Sequence, residues 1–380
     1  MAAKNDTLRL PVQIRSERFR SYDVNDFAPA TNRDQEWKNT PLDRAEPLMG
    51  ELDGSRYSFG WDAPAGVTTQ WVPRDNDAIG ATGLIPEDVI SANAWTQFGE
   101  ALVVSIPDGH QTVGPLWLTR SDLGDTPRAL HTVIHAGADS TGFVVLDYRG
   151  TGCIAENVEI VADPTSRLTV VSVEDWAPTA VHGGAVFVSV AAQAEVTHIQ
   201  VSLGGDFIRI NPTAVFRGPR GRLTLDGVYF ADAGQHIEHQ VYIDHDAPDC
   251  YSRVTYKGAL QGKGAHTVWI GDALIRSHAT GTDTYELNRN LVLTRGAHSD
   301  SVPNLEIETG EIIGAGHASA TGRFDDEQLF YPQSRGITEV EARRLVVRGF
   351  LMQIVQEIGQ PELEKRIADA LEAELSHTVI

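Results

Sequence analysis

Short runs of alternating apolar and polar residues fill the middle of the chain, from about residue 101 to residue 311. Gly, Asp, Asn or Pro separates these runs, which are rich in Val, Ile, Leu and Thr. Such alternation is typical of β-strands, and no helical pattern of ten or more residues interrupts it, so we predict an all-β middle region. The runs are residues 102–106, 131–134, 143–146, 158–161, 168–173, 186–190, 196–201, 207–210 and 223–225.

A recurring local pattern around three glycines favours a solenoid over a sandwich or a barrel. Near Gly227, Gly258 and Gly271, an apolar residue and a spacer precede the glycine, and a small or apolar residue follows it. The intervals between these glycines are unequal. A repeated local pattern at irregular intervals is typical of a parallel β-helix, in which short strands are joined by turns of variable length.

After about residue 325 the spacing of apolar residues becomes helical. Thr338 and Glu341 form a capping box that begins one helix, and Pro361 begins another. The first helix has two apolar stripes, so it must bury one on its own domain and the other on a second element or a partner. The first stripe is Ile337, Val340, Val347, Leu351, Ile354 and Ile358, and the second is Ala342, Leu345, Val346, Gly349 and Phe350.

These patterns divide the chain into three predicted regions. Residues 1–95 form a mixed or helical N-terminal region, residues 96–324 the β-helix core, and residues 325–380 a helical domain. Within the first region, residues 33–42 look like a short helix that Pro41 ends, because the residue before a proline avoids the helical conformation.

Charge and cysteine content exclude several classes of protein. The chain has 31 Lys and Arg residues against 52 Asp and Glu residues, a net charge of −21, which makes nucleic acid and anionic lipid poor partners. Its two cysteines, Cys153 and Cys250, are too few for a disulfide scaffold, a self-contained iron–sulfur site or a structural zinc site. We find no signal peptide or membrane span in the sequence and predict a cytoplasmic protein.

Histidines are the main candidates for chemistry. His236, His239 and His245 lie among acidic residues and have the composition of a divalent metal site, or they belong to a polar turn between two strands. His317 stands alone in a run of Gly, Ala and Ser where the β pattern ends, and small neighbours permit close approach of another backbone. Phosphate-binding loops and the G-x-S-x-G motif are absent from the sequence.

Ordered motifs through most of the chain resemble the SufB/SufD family of iron–sulfur cluster assembly proteins. In the last third these are NLVLT (290–294), AHSDSVPNLEI (297–307), HASATG (317–322), DEQLFY (326–331) and SRGI (334–337). Upstream they are residues 33–42, GQHIEH (234–239), DHDAP (244–248) and YKGAL (256–260). The SufD branch is favoured because the chain is short for SufB and because His317 stands where SufB carries a cysteine. Ala315 replaces a cysteine that many members of that branch have, and HASA replaces their usual HGAT, so His317 is the remaining ligand in this segment.

The resemblance implies a mainly β fold, with a right-handed parallel β-helix core between a mixed N-terminal region and a C-terminal helical domain. It implies a non-catalytic scaffold that pairs edge to edge with SufB and binds SufC, an ABC-type ATPase, through its C-terminal helices. ATP would bind SufC, and a transient iron–sulfur cluster would form at the SufB interface, with none bound stably by this chain alone. His317 either ligates iron there or only packs the interface. The residues expected to contact SufC are Phe330, Tyr331, Arg335, Gly336, Leu345, Val346 and Phe350.

Two other functions remain open at this point. A β-helix enzyme acting on carbohydrate predicts a substrate groove with clustered acidic and basic side chains. A homodimeric β-helix scaffold would use the same open edge with a second copy of itself.

Overall fold

Two parallel β-sheets face one another and form a flattened solenoid. The computed structural model describes residues 15–323, 330 and 333–376, and within these residues each sheet has nine strands. The first sheet contains, in spatial order, β1 (Gly60–Asp62), β4 (Leu116–Ser121), β6 (Thr141–Gly150), β8 (Arg167–Trp176), β10 (Glu195–Gly204), β12 (Arg222–Ala231), β14 (Tyr251–Leu260), β16 (Asp283–Val292) and β18 (Gly314–Arg323). The second contains β2 (Thr68–Pro73), β3 (Glu100–Ile106), β5 (Gly124–Ala136), β7 (Gly152–Ala162), β9 (Val181–Val190), β11 (Phe207–Phe216), β13 (His236–His245), β15 (His266–Ile275) and β17 (His298–Ile307).

Each turn of the solenoid adds one strand to each sheet. From β3 onward, strands that follow one another in the sequence therefore lie in opposite sheets. Apart from β1 and β2, the strands within a sheet are parallel and in register, for example Glu195 beside Arg167 and Arg222. Alternate side chains point into the solenoid or outward, as in any strand. In β10, Val196 joins the interior core, whereas Ile199 and Val201 belong to a separate apolar cluster on the outer face.

Different material covers the outer face of each sheet. The first sheet is covered by α3 (Glu339–Val355) and α4 (Pro361–Ser376), whose Val347 and Leu371 join an apolar cluster with Val201 of β10. The second sheet is covered by the N-terminal region, which includes α1 (Leu42–Ala45) and α2 (Val89–Gln97). Short 3₁₀ turns occupy Arg15–Glu17, Val24–Asp26, Gln35–Trp37, Glu46–Leu48 and Gln356–Ile358.

Strands β1 and β2 close the N-terminal end of the solenoid. They run antiparallel to β4 and β3, and therefore occupy the free edges of the first turn. Tyr57, Phe59 and Trp71 pack on the interior core at this end, with ring centroids 5.1–6.2 Å apart. The first turn is consequently shielded from water on both its edges and its interior.

The predicted parallel β-helix, mixed N-terminal region and C-terminal helices are confirmed. The N-cap half of the predicted capping box is present, since the amide of Glu341 donates to the hydroxyl of Thr338 at 3.3 Å. Most strands are longer than the predicted runs, because polar residues also occupy inward positions and obscure the apolar alternation. The short helix predicted within residues 33–42 is present as the 3₁₀ turn Gln35–Trp37, and Pro41 lies at the N-cap of the next helix, α1.

The boundaries at residues 95/96 and 324/325 stay a prediction. Strands β1 and β2 lie within residues 1–95 yet pair with the solenoid, so the N-terminal region contributes directly to the sheets. None of the helices in the described part of the chain is both long and apolar enough to cross a membrane.

Candidate functional site

At the C-terminal end of the solenoid, the described strands β17 and β18 each have one open edge. Among the described residues, β17 pairs only with β15 and β18 pairs only with β16. Hence one side of each strand carries backbone N–H and C=O groups without a strand partner, a template for pairing with another chain. Both strands are also much more exposed than the inner strands of their sheets.

His317 lies on the inward face of β18, at the mouth of the solenoid interior. It is in register with Glu286 of β16, and register partners in a parallel sheet share a face. Glu286 is fully buried, whereas the side chain of His317 is exposed. The imidazole therefore covers the last interior layer and faces whatever approaches the open end.

Hydroxyl groups line the rest of this mouth. Ser319 of β18 donates to Ser301 of β17 at 2.7 Å, a hydrogen bond that joins the two sheets across the end of the interior. The amide of Asn290, one layer below, points to the hydroxyl of Thr321 at 3.5 Å. Buried polar groups need hydrogen-bond partners, so a partner that covered this polar mouth and excluded water would have to supply the remaining hydrogen bonds.

Glu286 is an unpaired carboxyl group directly beneath His317. Neither of its oxygens has a hydrogen-bond partner in the described part of the chain. Burial, with a smaller contribution from the charge of Asp272, raises the pKa of Glu286 to about 8. A carboxylate and an imidazole together are ligands suited to borderline divalent metals such as iron.

No thiol accompanies these groups within the described residues. Cys153 belongs to β7 and Cys250 directly precedes β14, so neither lies on the two open strands. Burial raises the pKa of each thiol to about 11, which disfavours the thiolate that binds metal. Any thiolate ligand at this mouth must therefore come from another chain.

Comparison with known proteins assigns the family. Residues 119–350 match the SufBD core domain of the SUF system for FeS cluster assembly. An iron–sulfur cluster assembly SufBD family protein of Mycobacterium tuberculosis is 48% identical over 376 residues, covering 96% of this chain and 94% of that protein. The chain belongs to the SufBD family.

Two further relatives show the breadth of this family. The iron–sulfur cluster assembly protein SufD of Escherichia coli is 24% identical over 380 residues, covering 89% of this chain and 87% of that protein. A second SufBD family protein of M. tuberculosis is 26% identical over 211 residues, covering 56% of this chain and 25% of that protein. One organism therefore carries two different proteins of the SufBD family.

The residues expected to contact SufC lie at and before α3 in this SufBD protein. Leu345 is 47% exposed, while Val346 and Phe350 are half-buried beside β16. Phe330 is 74% exposed, and Arg335 and Gly336 lie in an exposed turn. Tyr331 lies outside the described residues.

The two apolar stripes of α3 divide broadly as the sequence indicates. Val347, Leu351 and Ile354 are buried on the first sheet, and Leu345 faces solvent. Two residues differ from the expectation, since Ala342 is buried and Val340 is 42% exposed. The face with Leu345 and Phe350 still offers apolar surface to a partner.

The three clustered histidines do not form one metal site. They lie within strand β13 and not in a polar turn, so they alternate between its faces. His236 points outward and lies 3.1 Å from Glu238, whereas His239 and His245 point into the solenoid. Burial lowers the pKa of His239 to about 4 and that of His245 to about 3, so both are neutral imidazoles of the interior.

Glu286 is the residue of this mouth that the sequence did not single out. The available signal was the polar set Thr284, Glu286, Asn288 and Asn290 at alternate positions of one strand. Such a strand either faces water or lies inside a polar interior, and the sequence does not distinguish between the two. The register with His317 becomes visible only when the solenoid is built.

Proposed function

We propose that this chain is the SufD-type subunit of a SufB–SufC–SufD assembly, and that nascent iron–sulfur clusters form where its open end meets the open end of SufB. The observation that carries the proposal is that, among the described residues, β17 and β18 each have an edge without a strand partner, close to His317. Two different SufBD proteins in one organism support pairing between unlike chains. The family favours an assembly role over the carbohydrate-active alternative.

His317 would act as one ligand of the iron that this interface receives. Its imidazole is exposed, stands at the mouth of the interior and lies above the unpaired Glu286. Because the cysteines of this chain are buried elsewhere, the thiolates would come from SufB or from the incoming sulfide. The chain itself would bind and position, without catalysing a reaction of its own.

SufC would bind the exposed face of α3 and the turn before it, and ATP would bind SufC. Along the sequence α3 is the next long helix after β18, so a movement of that helix would be passed on to the strand at the open end. Nucleotide-driven movement of SufC would shift a two-state interface between closed and iron-accepting forms. We place this assembly in the cytoplasm, where thiols stay reduced.

The test is to co-express this chain with SufB-type and SufC-type partners and to purify the complex through this chain. Replacement of His317 by Ala should leave the three subunits together and lower the cluster absorbance after reconstitution by about tenfold. His278→Ala removes another exposed histidine, bonded to Asp246, and is the matched control. Equal cluster content in the His317→Ala and wild-type complexes would reduce His317 to a packing residue.

Leu345→Glu tests the binding of SufC separately. A buried charge at the interface should lower the co-purified SufC by about tenfold while the fold is unchanged, because Leu345 is largely outside the apolar cluster under α3. Leu345→Ser is the control, since it removes apolar area without adding charge. Normal SufC recovery with Leu345→Glu would place the SufC site elsewhere.

A further inference from the structure

A ladder of histidines runs along the outer face of the second sheet. His236, His266 and His298 begin strands β13, β15 and β17 and are in register. Because parallel strands lie about 4.8 Å apart, register partners stack. The ring centroids are 4.9 Å apart for His236 and His266 and 5.4 Å apart for His266 and His298.

The carboxylate of Asp300 joins the last two imidazoles of the ladder. Asp300 follows His298 by two residues on β17 and so shares its outward face. One of its oxygens lies 2.8 Å from Nε2 of His266, and Nε2 of His298 lies 3.3 Å from the same carboxylate. Two imidazole nitrogens therefore converge on one carboxylate.

These distances match those between ligands of one metal ion. Neighbouring ligand atoms that share an ion at 2.0–2.2 Å in tetrahedral or octahedral geometry are separated by roughly 2.8–3.6 Å, a range that includes both distances from Asp300. Ligand atoms of His266, His298 and Asp300 all lie within 4.8 Å of one another, so a small shift would admit an ion between them. In the part of the chain that the structure describes, no other group of three such side chains is equally close.

The neighbouring charged residues in the described part of the chain do not pair with Asp300, so its carboxylate can bind a cation. His236 is occupied by Glu238, which Arg209 in turn neutralises at 3.1 Å, so neither competes for Asp300. His278 and Asp246 form a similar pair elsewhere, but there Arg276 lies 3.3 Å from the same carboxylate. The cluster on β15 and β17 differs from that pair in having a second imidazole where the other has an arginine.

We propose that His266, His298 and Asp300 bind one divalent transition-metal ion of the Fe²⁺ and Zn²⁺ class. Two imidazoles and a carboxylate with open positions are a ligand set that both ions accept. The side chain of His298 is 69% exposed, and those of His266 and Asp300 are about one-third exposed or less, so solvent or a partner can supply the remaining ligands.

This site does not depend on the proposed cluster assembly. It lies on the outer face of the second sheet, whereas His317 lies on the inward face of β18 in the first sheet. It is nevertheless next to the open edge of β17, so a chain that pairs with this edge would approach it closely. A metal bound here would therefore lie close to that partner.

The test uses the full chain, stripped with a chelator and titrated with Zn²⁺ by calorimetry and with Fe²⁺ under anaerobic conditions. We expect one ion per chain, and an affinity at least tenfold lower for His298→Ala and for Asp300→Asn. His278→Ala is the matched control and should bind as the wild type does. X-ray absorption of the Zn²⁺ form should show two imidazole ligands.

Each outcome decides between distinct sites. Absence of binding by the wild type, or equal binding by His298→Ala and Asp300→Asn, would show a hydrogen-bonded cluster only and overturn the proposal. His317→Ala should keep the metal; if it alone loses the ion, the metal belongs to the mouth of the interior. Because the substituted side chains are exposed, unchanged thermal unfolding of the apo variants would exclude misfolding as the cause of a loss.

Discussion

The two ends of the solenoid differ in how the edges of the terminal strands and the end of the interior are covered. At the N-terminal end, β1 and β2 pair antiparallel with the first turn, and Tyr57, Phe59 and Trp71 cover its interior. At the C-terminal end, the described strands β17 and β18 keep an open edge, and the interior ends in polar side chains. A repeat fold needs a cap at each end, so the lack of one on β17 and β18 among the described residues supports the proposed pairing with a partner there.

Buried acidic side chains also differ between the two ends in the partners that they have. Glu156, near the closed end, lies 3.1 Å from the guanidinium of Arg120 and accepts the hydroxyl of Tyr148 at 2.8 Å. Glu286, near the open end, has no such partner in the described part of the chain. Glu156 is thus paired within the chain, although Nη1 of Arg120 has no hydrogen-bond partner among the described residues. Glu286 has no partner there for either oxygen, so a partner chain, a proton or a cation can satisfy it.

The largest effect is expected from breaking the charged pair of the closed end. Arg120→Met should lower the free energy of unfolding by about 3–5 kcal/mol, because it leaves Glu156 buried without its cation. Chemical denaturation measures this change. The double variant Arg120→Met with Glu156→Gln should recover part of the loss, and an equal loss in both variants would show that Arg120 contributes by packing and not by charge.

A smaller effect with the opposite sign is expected at the open end. Glu286 has a pKa of about 8 in the folded chain against 4.5 for an ordinary glutamate, so the folded state holds a proton that the unfolded state releases. Stability should therefore fall as the pH rises from about 4.5 to about 8 and level off above that range. Glu286→Gln should remove this fall and be more stable by roughly 2–4 kcal/mol at pH 9.

The pH profile of unfolding by denaturant checks that expectation. Wild type and Glu286→Gln should coincide at pH 4 and diverge as the pH rises. Glu311→Gln, an exposed glutamate in the loop between β17 and β18, should follow the wild type throughout. Parallel curves for Glu286→Gln and wild type would mean that Glu286 already has a partner in solution.

The sequence predicts the helices that cover the outer face of the first sheet better than it predicts the open end. The helix start at Thr338 and the buried stripe of Val347, Leu351 and Ile354 depend on neighbours within a few residues, so local pattern reveals them. His266 and Asp300 meet across 34 positions of sequence, and Glu286 meets His317 across a full turn. Such contacts depend on how many residues make up each turn of the solenoid, and composition does not determine that number.

Family resemblance gave His317 its role as a ligand, which local pattern did not. A lone histidine in a run of small residues has no spacing partner, and its position at the mouth follows only from the register of β16 with β18. The three histidines of β13 show the converse, because their proximity in sequence placed them on opposite faces of a strand. Closeness along a strand is therefore a poor guide to a shared site.

The smallest effect on folding, and the sharpest contrast between the ends, is expected from two exposed apolar residues. Ile313, in the loop before β18, is 77% exposed, and Val113, before β4 of the first turn, is 91% exposed. Ile313→Lys and Val113→Lys should each change the free energy of unfolding by less than about 0.5 kcal/mol, because neither side chain is buried. If the open end is an interface, Ile313→Lys should weaken binding of a SufB-type partner by about tenfold or more, and Val113→Lys should not. Co-purification and mass measurement of the complex provide the readout, and equal behaviour of the two variants would contradict the assignment of the partner to the open end.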